Sequence, residues 1–154
     1  MDQRELTIKA AYLFRLSLFV VWPPANLDLK GSEPIIFCVA DDSNISASLK
    51  SVLAGKLINQ HRITVMTAGL SDDLSSCHLL YLPEGVQTPQ PFLQAAARYP
   101  VLTVGETETF YRHGGMVLLF KKNNTVRFAI NQQVAEETGL KLKAQLLHLA
   151  DQQP

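Results

Sequence analysis

The sequence lacks an excess of charge of either sign and has little charge in total. Its 14 Lys and Arg residues balance its 14 Asp and Glu residues, and charged residues make up only 18% of the chain. A protein that binds nucleic acid needs a basic face, and no basic cluster stands out here. The longest apolar run, Leu16 to Trp22, is far shorter than the roughly 20 residues needed to cross a bilayer. The composition therefore predicts no nucleic-acid binding and no direct membrane insertion.

The sequence also lacks the motifs that catalysis and metal binding require. No HExxH or CxxC pair and no GxSxG elbow is present, and the four histidines are scattered: His61, His78, His113 and His148. Gly114-Gly115 lacks the spacing of a phosphate-binding loop, so we interpret it as a tight turn. We predict no catalytic residue, no metal site and no cofactor, and hence not an enzyme.

Cysteine is scarce, and the count alone leaves the compartment open. Cys38 lies inside the apolar run IIFCVA, and Cys77 opens CHLLYL. Two buried thiols and one disulfide are both compatible with this pattern. The start MDQRELTIKA has no basic region or cleavage site of a secretory signal. The chain is therefore either a cytoplasmic protein or a mature fragment preceded by an added Met.

The most apolar stretch that is present runs from Leu6 to Pro24. Its few polar residues do not fall on one side at helical spacing, whereas a surface helix shows one polar and one apolar side. We predict a helix that ends at Trp22, before Pro23 and Pro24, and that is covered on more than one side. The cover could come from the core of the same chain, from a second copy or from a partner protein.

The rest of the chain alternates short apolar runs with amphipathic segments. Strands are predicted at 35–40, 62–67, 78–82 and 101–104, with helices or helical turns starting near Asp42, Ser71, Gln90 and Thr107. Short extended pieces are predicted at Leu57-Ile58 and 140–142. A hairpin follows at 116–120 and 125–130, turning at Asn123-Asn124, before a helix capped by Asn131 and a last amphipathic helix. This order predicts one domain over residues 1–154, an α/β three-layer sandwich with a mostly parallel sheet and a late antiparallel hairpin.

Asp41-Asp42 directly follows the first predicted strand, where parallel sheets often place their sites. A phosphate-receiving signalling domain also has acids at this point, but it needs an aspartate after its third strand. That strand ends here as Leu82-Pro83. We therefore interpret Asp41-Asp42 as the start of a helix.

Seven segments in order make the chain resemble the YfiR family (DUF4154) of small bacterial periplasmic proteins. They are KAAYLFRLSLFVVWP (Lys9–Pro23), IIFCVADD (Ile35–Asp42), CHLLYLP (Cys77–Pro83), VLTVGE (Val101–Glu106), GGMVLLF (Gly114–Phe120), VRFAIN (Val126–Asn131) and GLKLKAQLLHLA (Gly139–Ala150). Together they cover nearly the whole chain.

The resemblance implies a periplasmic regulator that binds the sensor part of an inner-membrane diguanylate cyclase and holds it inactive. This lowers cyclic di-GMP and biofilm formation, and an OmpA-like outer-membrane lipoprotein can sequester the repressor. The resemblance further implies a homodimer, a native signal peptide missing from this sequence, and a Cys38–Cys77 disulfide. Tyr12, Phe19 and Trp22 of the apolar stretch are the predicted partner or dimer contacts. The alternative is a periplasmic sensor that binds a small ligand in a cleft of the sheet.

Overall fold

The structure is a computed structural model that describes residues 2–27 and 31–150. The helices of these ranges are α1 (Gln3–Leu18), α2 (Ser43–Leu53), α3 (Gln90–Ala96), α4 (Glu108–Arg112), α5 (Gln132–Glu137) and α6 (Ala144–Leu149). The strands are β1 (Val20–Val21), β2 (Ile35–Ala40), β3 (Leu57–Ile58), β4 (His61–Ala68), β5 (Leu79–Leu82), β6 (Leu102–Gly105), β7 (Val117–Lys122), β8 (Thr125–Ile130) and β9 (Lys141–Leu142).

The main sheet has the strand order β3-β4-β2-β5-β6-β7-β8. The five central strands, β4, β2, β5, β6 and β7, run parallel to one another. The edge strands β3 and β8 pair antiparallel with their neighbours. Strands β1 and β9 form a separate antiparallel pair. The predicted mostly parallel sheet with a late hairpin is confirmed.

The two faces of the sheet carry different cores because successive side chains of a strand point to opposite sides. On β2, Phe37 and Val39 belong to the larger core, which also includes residues of α1, α2, α5 and α6. Cys38 and Ala40 belong to the smaller core, which includes residues of α3 and α4. Helices on both faces of one sheet make the predicted three-layer sandwich.

Helix α1 begins at the cap Asp2, whose side chain accepts the Glu5 N–H, and ends at Leu18. The prediction that it continues to Trp22 is wrong. Val20 and Val21 instead pair with Leu142 and Lys141, because β-branched residues favour an extended backbone when a partner strand is available.

The surroundings of α1 also qualify the predicted all-round cover. The helix buries Leu6, Ala10, Leu13 and Leu16, while Ile8 is 40% exposed. The sheet-facing side is therefore fully covered, and the flanks are covered only in part.

Local capping and turn signals elsewhere behave as predicted. Asp42 caps α2 by accepting the Ile45 N–H at 3.0 Å, and Asn131 caps α5. Asn123 and Asn124 both adopt positive φ, 53° and 64°, in the hairpin turn. The helical turn predicted at 71–76 is wrong: the segment forms two separate turns and no helix, and the Asp72 carboxylate accepts the Gly69 N–H at 2.7 Å.

Candidate functional site

The carboxyl ends of the parallel strands meet at one edge of the sheet, above the point where the strand order reverses. Strand β2 lies between β4 and β5, so the chain runs outward in both directions from the β2–β5 pair. Open parallel sheets usually bind ligands at such a point. Asp41 and Asp42 follow β2, Glu84 follows β5, and Glu106 follows β6.

Glu106 is the centre of a buried polar network at this edge. Its side chain is 4% exposed and lies 2.5 Å from the ammonium of Lys9, whose side chain is 8% exposed. The carboxylate also accepts the Tyr81 hydroxyl at 2.8 Å and the Glu84 N–H at 2.9 Å. Burial and the adjacent Glu106 carboxylate raise the pKa of Tyr81, so its hydroxyl remains a donor.

The network extends to the surface through Glu5. The Glu5 carboxylate lies 3.3 Å from Lys9 and 2.9 Å from the exposed Lys121 of β7. The hydrogen bond from Lys121 and the charge of Lys9 lower the pKa of Glu5, and the hydrogen bond to Glu5 raises the pKa of Lys121. Since Lys9 is held by two carboxylates, this arrangement fixes α1 on the sheet.

Lys9, Tyr81 and Glu106 belong to no motif that the sequence predicts as a site. Each lies in a different one of the segments that carry the resemblance, and a lysine within an apolar helix was the available signal. Their convergence depends on the strand order, which composition and spacing do not specify.

Two clefts open beside this network. One has a volume of about 310 Å³ and lies towards Lys121, and the other has a volume of about 450 Å³ and lies towards Asp42. Glu5, Lys9 and Glu84 line both. Within residues 2–27 and 31–150, no group of three or more His, Cys, Asp and Glu side chains is arranged to hold a metal ion.

A different, apolar groove lies between α1, β8 and α6, with a volume of about 200 Å³. It is lined by Tyr12, Arg15, Leu16, Phe19, Phe128, Leu146 and Leu149. Tyr12 donates its hydroxyl to the Val126 carbonyl at 2.5 Å and meets the Phe128 ring edge to face. Leu149 is 64% exposed at the rim. We call this set of seven residues the α1–α6 groove.

The three predicted contact residues, Tyr12, Phe19 and Trp22, do not share one surface in the structure. Tyr12 and Phe19 are half-buried in the α1–α6 groove. Trp22 is 2% exposed, donates its indole N–H to the His78 carbonyl at 2.9 Å and packs edge to face on the His78 ring. In this single chain, Trp22 therefore ties the segment after α1 to the sheet and offers almost no surface.

The structure contains the disulfide between Cys38 and Cys77, with a Cα–Cα distance of 5.9 Å. It joins β2 to Cys77, two residues before β5, and lies in the smaller core. The pairing that the resemblance implied is thus present in the structure.

Comparison with known proteins supports a family assignment. The family model DUF4154, described as YfiR/HmsC-like, matches residues 6–151. No curated protein matches the sequence significantly. None of the helices in the described ranges combines the length and hydropathy that a bilayer crossing requires. Because the family model spans nearly the whole sequence, the chain belongs to the YfiR/HmsC-like family, a regulatory and not a catalytic family that is associated in general with periplasmic control of diguanylate cyclases.

Proposed function

We propose that this protein acts in the periplasm by binding the sensor part of an inner-membrane diguanylate cyclase and holding that enzyme inactive, which lowers cyclic di-GMP and biofilm formation. The observation that carries the proposal is the family match over residues 6–151. The buried disulfide supports it, because disulfides persist in oxidising compartments.

The α1–α6 groove is the proposed contact surface for the cyclase. It combines apolar lining residues with two exposed side chains, Leu149 of α6 and Arg15 of α1. A partner that fits would insert an apolar side chain and place a carboxylate beside Arg15. Tyr12 and Phe19 would supply rigid aromatic area, which commonly dominates binding energy at the centre of an interface.

Inhibition by binding requires that the protein distinguish two states of its target. If the inactive state of the cyclase binds more tightly, the equilibrium shifts towards that state by the difference in binding free energy. A ratio of about 10⁴ in affinity would convert a nearly fully active population into a nearly fully inactive one. An OmpA-like lipoprotein that competes for the same groove would release the cyclase.

The test compares two aspartate substitutions on exposed apolar residues. Leu149→Asp introduces a charge into the α1–α6 groove, whereas Ile8→Asp places the same charge on the surface of α1 outside that lining. Binding to the purified periplasmic segment of an inner-membrane diguanylate cyclase from the same organism would be measured by calorimetry, and inhibition by cyclic di-GMP synthesis in membranes. We expect Leu149→Asp to weaken binding about tenfold or more and Ile8→Asp to leave it unchanged.

Two outcomes would contradict the proposal. Absence of binding by the unmodified protein would reject the cyclase as the partner. Equal binding by the two variants would reject the groove as the contact surface, while the family assignment would stand.

A second candidate is a sensor for a small ligand, favoured by the clefts beside Lys9 and Glu106. The larger cleft, which contains Asp42 and Glu84, lies between the ends of β2 and β5, the point of strand reversal where open parallel sheets usually bind ligands. A thermal-shift screen with small charged metabolites tests this candidate. A stabilisation that grows with ligand concentration and is lost in Glu84→Gln would support it, and absence of any shift would reject it.

A further inference from the structure

The outer edge of β4 is largely unpaired. On its inner side, Ile63 to Ala68 pair with β2 over the whole length of that strand. On its outer side, β3 pairs only with His61 and Arg62. Among the described residues, no strand pairs with the outer side of 63–68, a segment of about 20 Å.

The sequence of this edge favours pairing with another strand. Residues 63–68 read ITVMTA and contain no charge and no proline. Natural proteins usually protect an edge strand with charges, prolines or a covering element, because unpaired N–H and C=O groups recruit other strands. The opposite edge, β8, has such protection: it carries the exposed Arg127, and the Tyr12 hydroxyl donates to the Val126 carbonyl.

Exposed apolar side chains gather at the β4 edge. Five large apolar side chains of the described residues are exposed, and three of them lie on β3, β4 and the following loop: Leu57 (51%), Met66 (48%) and Leu70 (59%). Met66 lies opposite Cys38, so its side chain points to the face of the sheet that carries the disulfide. Arg62 lies four residues before Met66 and points to the same face, and so does Leu57, which lies opposite Arg62. Helix α2 packs on the opposite face of β4, where Ile63 and Val65 join the larger core.

We propose that the β4 edge is an interface between two copies of this chain, which pair antiparallel about a two-fold axis near Val65. The resemblance implies a homodimer but not the surface that forms it. A two-fold axis brings the same strand of each copy together and extends the sheet across the dimer, without leaving a further free edge of this kind.

Charge complementarity favours a second copy as the occupant. The uncharged edge is bounded by the exposed Arg62 at its start and by the exposed Asp72 and Asp73 soon after its end. Hydrogen bonds from Ser75 lower the pKa of Asp73, so it is ionised at neutral pH. In an antiparallel pair, the Arg62 end of each copy lies beside the acidic end of the other. A parallel arrangement would oppose like charges and is disfavoured.

The first test places a charge on the edge and compares it with the same change on the protected edge. Thr64→Lys alters an exposed position of β4, and Thr125→Lys alters an exposed position of β8. Sedimentation of the full chain should show a dimer for the unmodified protein and for Thr125→Lys. We expect Thr64→Lys to raise the dimer dissociation constant at least tenfold with an unchanged far-UV spectrum.

The second test fixes the register by crosslinking. Cysteine would be introduced singly at Thr64, Val65 and Met66, with Thr125→Cys as the control. In a two-fold antiparallel pair, the residue on the axis lies opposite its own copy, within the Cα–Cα distance that a disulfide spans. We expect a crosslinked dimer under mild oxidation for the position on the axis and none for Thr125→Cys.

Three results would overturn the proposal. They are a monomer at 200 µM, a dimer that withstands Thr64→Lys, and a dimer that is lost with Leu149→Asp. If the dimer withstands Thr64→Lys and the same change abolishes cyclase binding, the edge belongs to the partner. The readout is self-association alone, so a failure of the proposed cyclase binding leaves this test intact.

Discussion

At the scale of single residues, the neutral form of His78 is built into the fold. Its Nδ1 accepts the Ile36 N–H at 2.9 Å, and its Nε2–H donates to the Asn26 carbonyl at 2.8 Å. Burial lowers the pKa of His78. A proton on Nδ1 would place two donors face to face and break the link between β2 and the residue before β5.

This arrangement predicts a loss of stability in weak acid. The unfolded chain titrates this group near pH 6.5, whereas the folded chain takes up the proton only at lower pH, so the unfolded state binds more protons between these values. The free energy of unfolding should therefore be full above pH 6.5 and fall as the pH is lowered, by at most about 1.4 kcal/mol per pH unit for one site. The free energy of unfolding would be measured with urea at a series of pH values from 7.5 to 5. His78→Gln should flatten the slope, and His113→Gln, at an exposed position, should retain it.

The Lys9–Glu106 pair makes a second prediction at this scale. Removing one member of a buried pair leaves the other charge uncompensated, so Lys9→Met should lower the free energy of unfolding by about 3–5 kcal/mol. Lys9→Met combined with Glu106→Gln should cost less than the sum of the single changes. Lys121→Met, which removes a solvent-exposed partner of Glu5, should lower the free energy of unfolding far less than Lys9→Met does. The free energies of unfolding would be measured with denaturant. A loss in the double variant that equals the sum of the two single losses would contradict the coupling.

At the scale of elements, two glycines leave the space in which Phe110 of α4 packs: Gly105 at the end of β6 and Gly115 shortly before β7. A Cβ added at Gly105 or at Gly115 would overlap the Phe110 ring. Phe110 is 1% exposed and belongs to the smaller core. These close approaches let the aromatic ring fill the space between β6 and the entry to β7.

Gly115→Ala should therefore destabilise the protein by about 1–3 kcal/mol, because the ring must move out of its packed position. Gly85→Ala is the matched control, since a Cβ there would meet nothing within 4 Å and should change stability by about 0.5 kcal/mol or less. The midpoint of thermal unfolding would be measured for the two single variants and for the double variant Gly115→Ala/Phe110→Leu. A double variant no more stable than Gly115→Ala would argue against the ring as the cause.

The elements also show which parts of the fold the sequence could predict. Caps and turns such as Asp42, Asn131 and Asn123-Asn124 act on neighbours within three residues, so their sequence signal is local and reliable. The end of α1 was not predictable locally, because Val20 and Val21 take their strand partner from β9, near the other end of the chain. Lys9 and Glu106 meet for a similar reason: the order of strands places them together, and neither residue carries that information alone.

At the scale of the whole molecule, the cores on the two faces of the sheet are joined at one place by Trp22, His78 and the disulfide. Trp22 belongs to the larger core and bonds the His78 carbonyl, and Cys77 of the smaller core is the residue before His78. Since neighbouring residues tie the two faces together, we expect them to unfold as one cooperative unit.

The single Trp makes this expectation measurable, because its buried indole reports on the larger core while the disulfide lies in the smaller one. Reducing Cys38–Cys77, or replacing both with Ala, should lower the free energy of unfolding by about 3–4 kcal/mol, since the bond closes a loop of 39 residues. Trp22 fluorescence and far-UV circular dichroism should give one urea midpoint, and both should shift equally when the bond is lost. The oxidised protein in the same buffer is the control. Two separate midpoints, with only the dichroism signal moved by reduction, would show that the faces of the sheet unfold independently and that the link through His78 does not couple them.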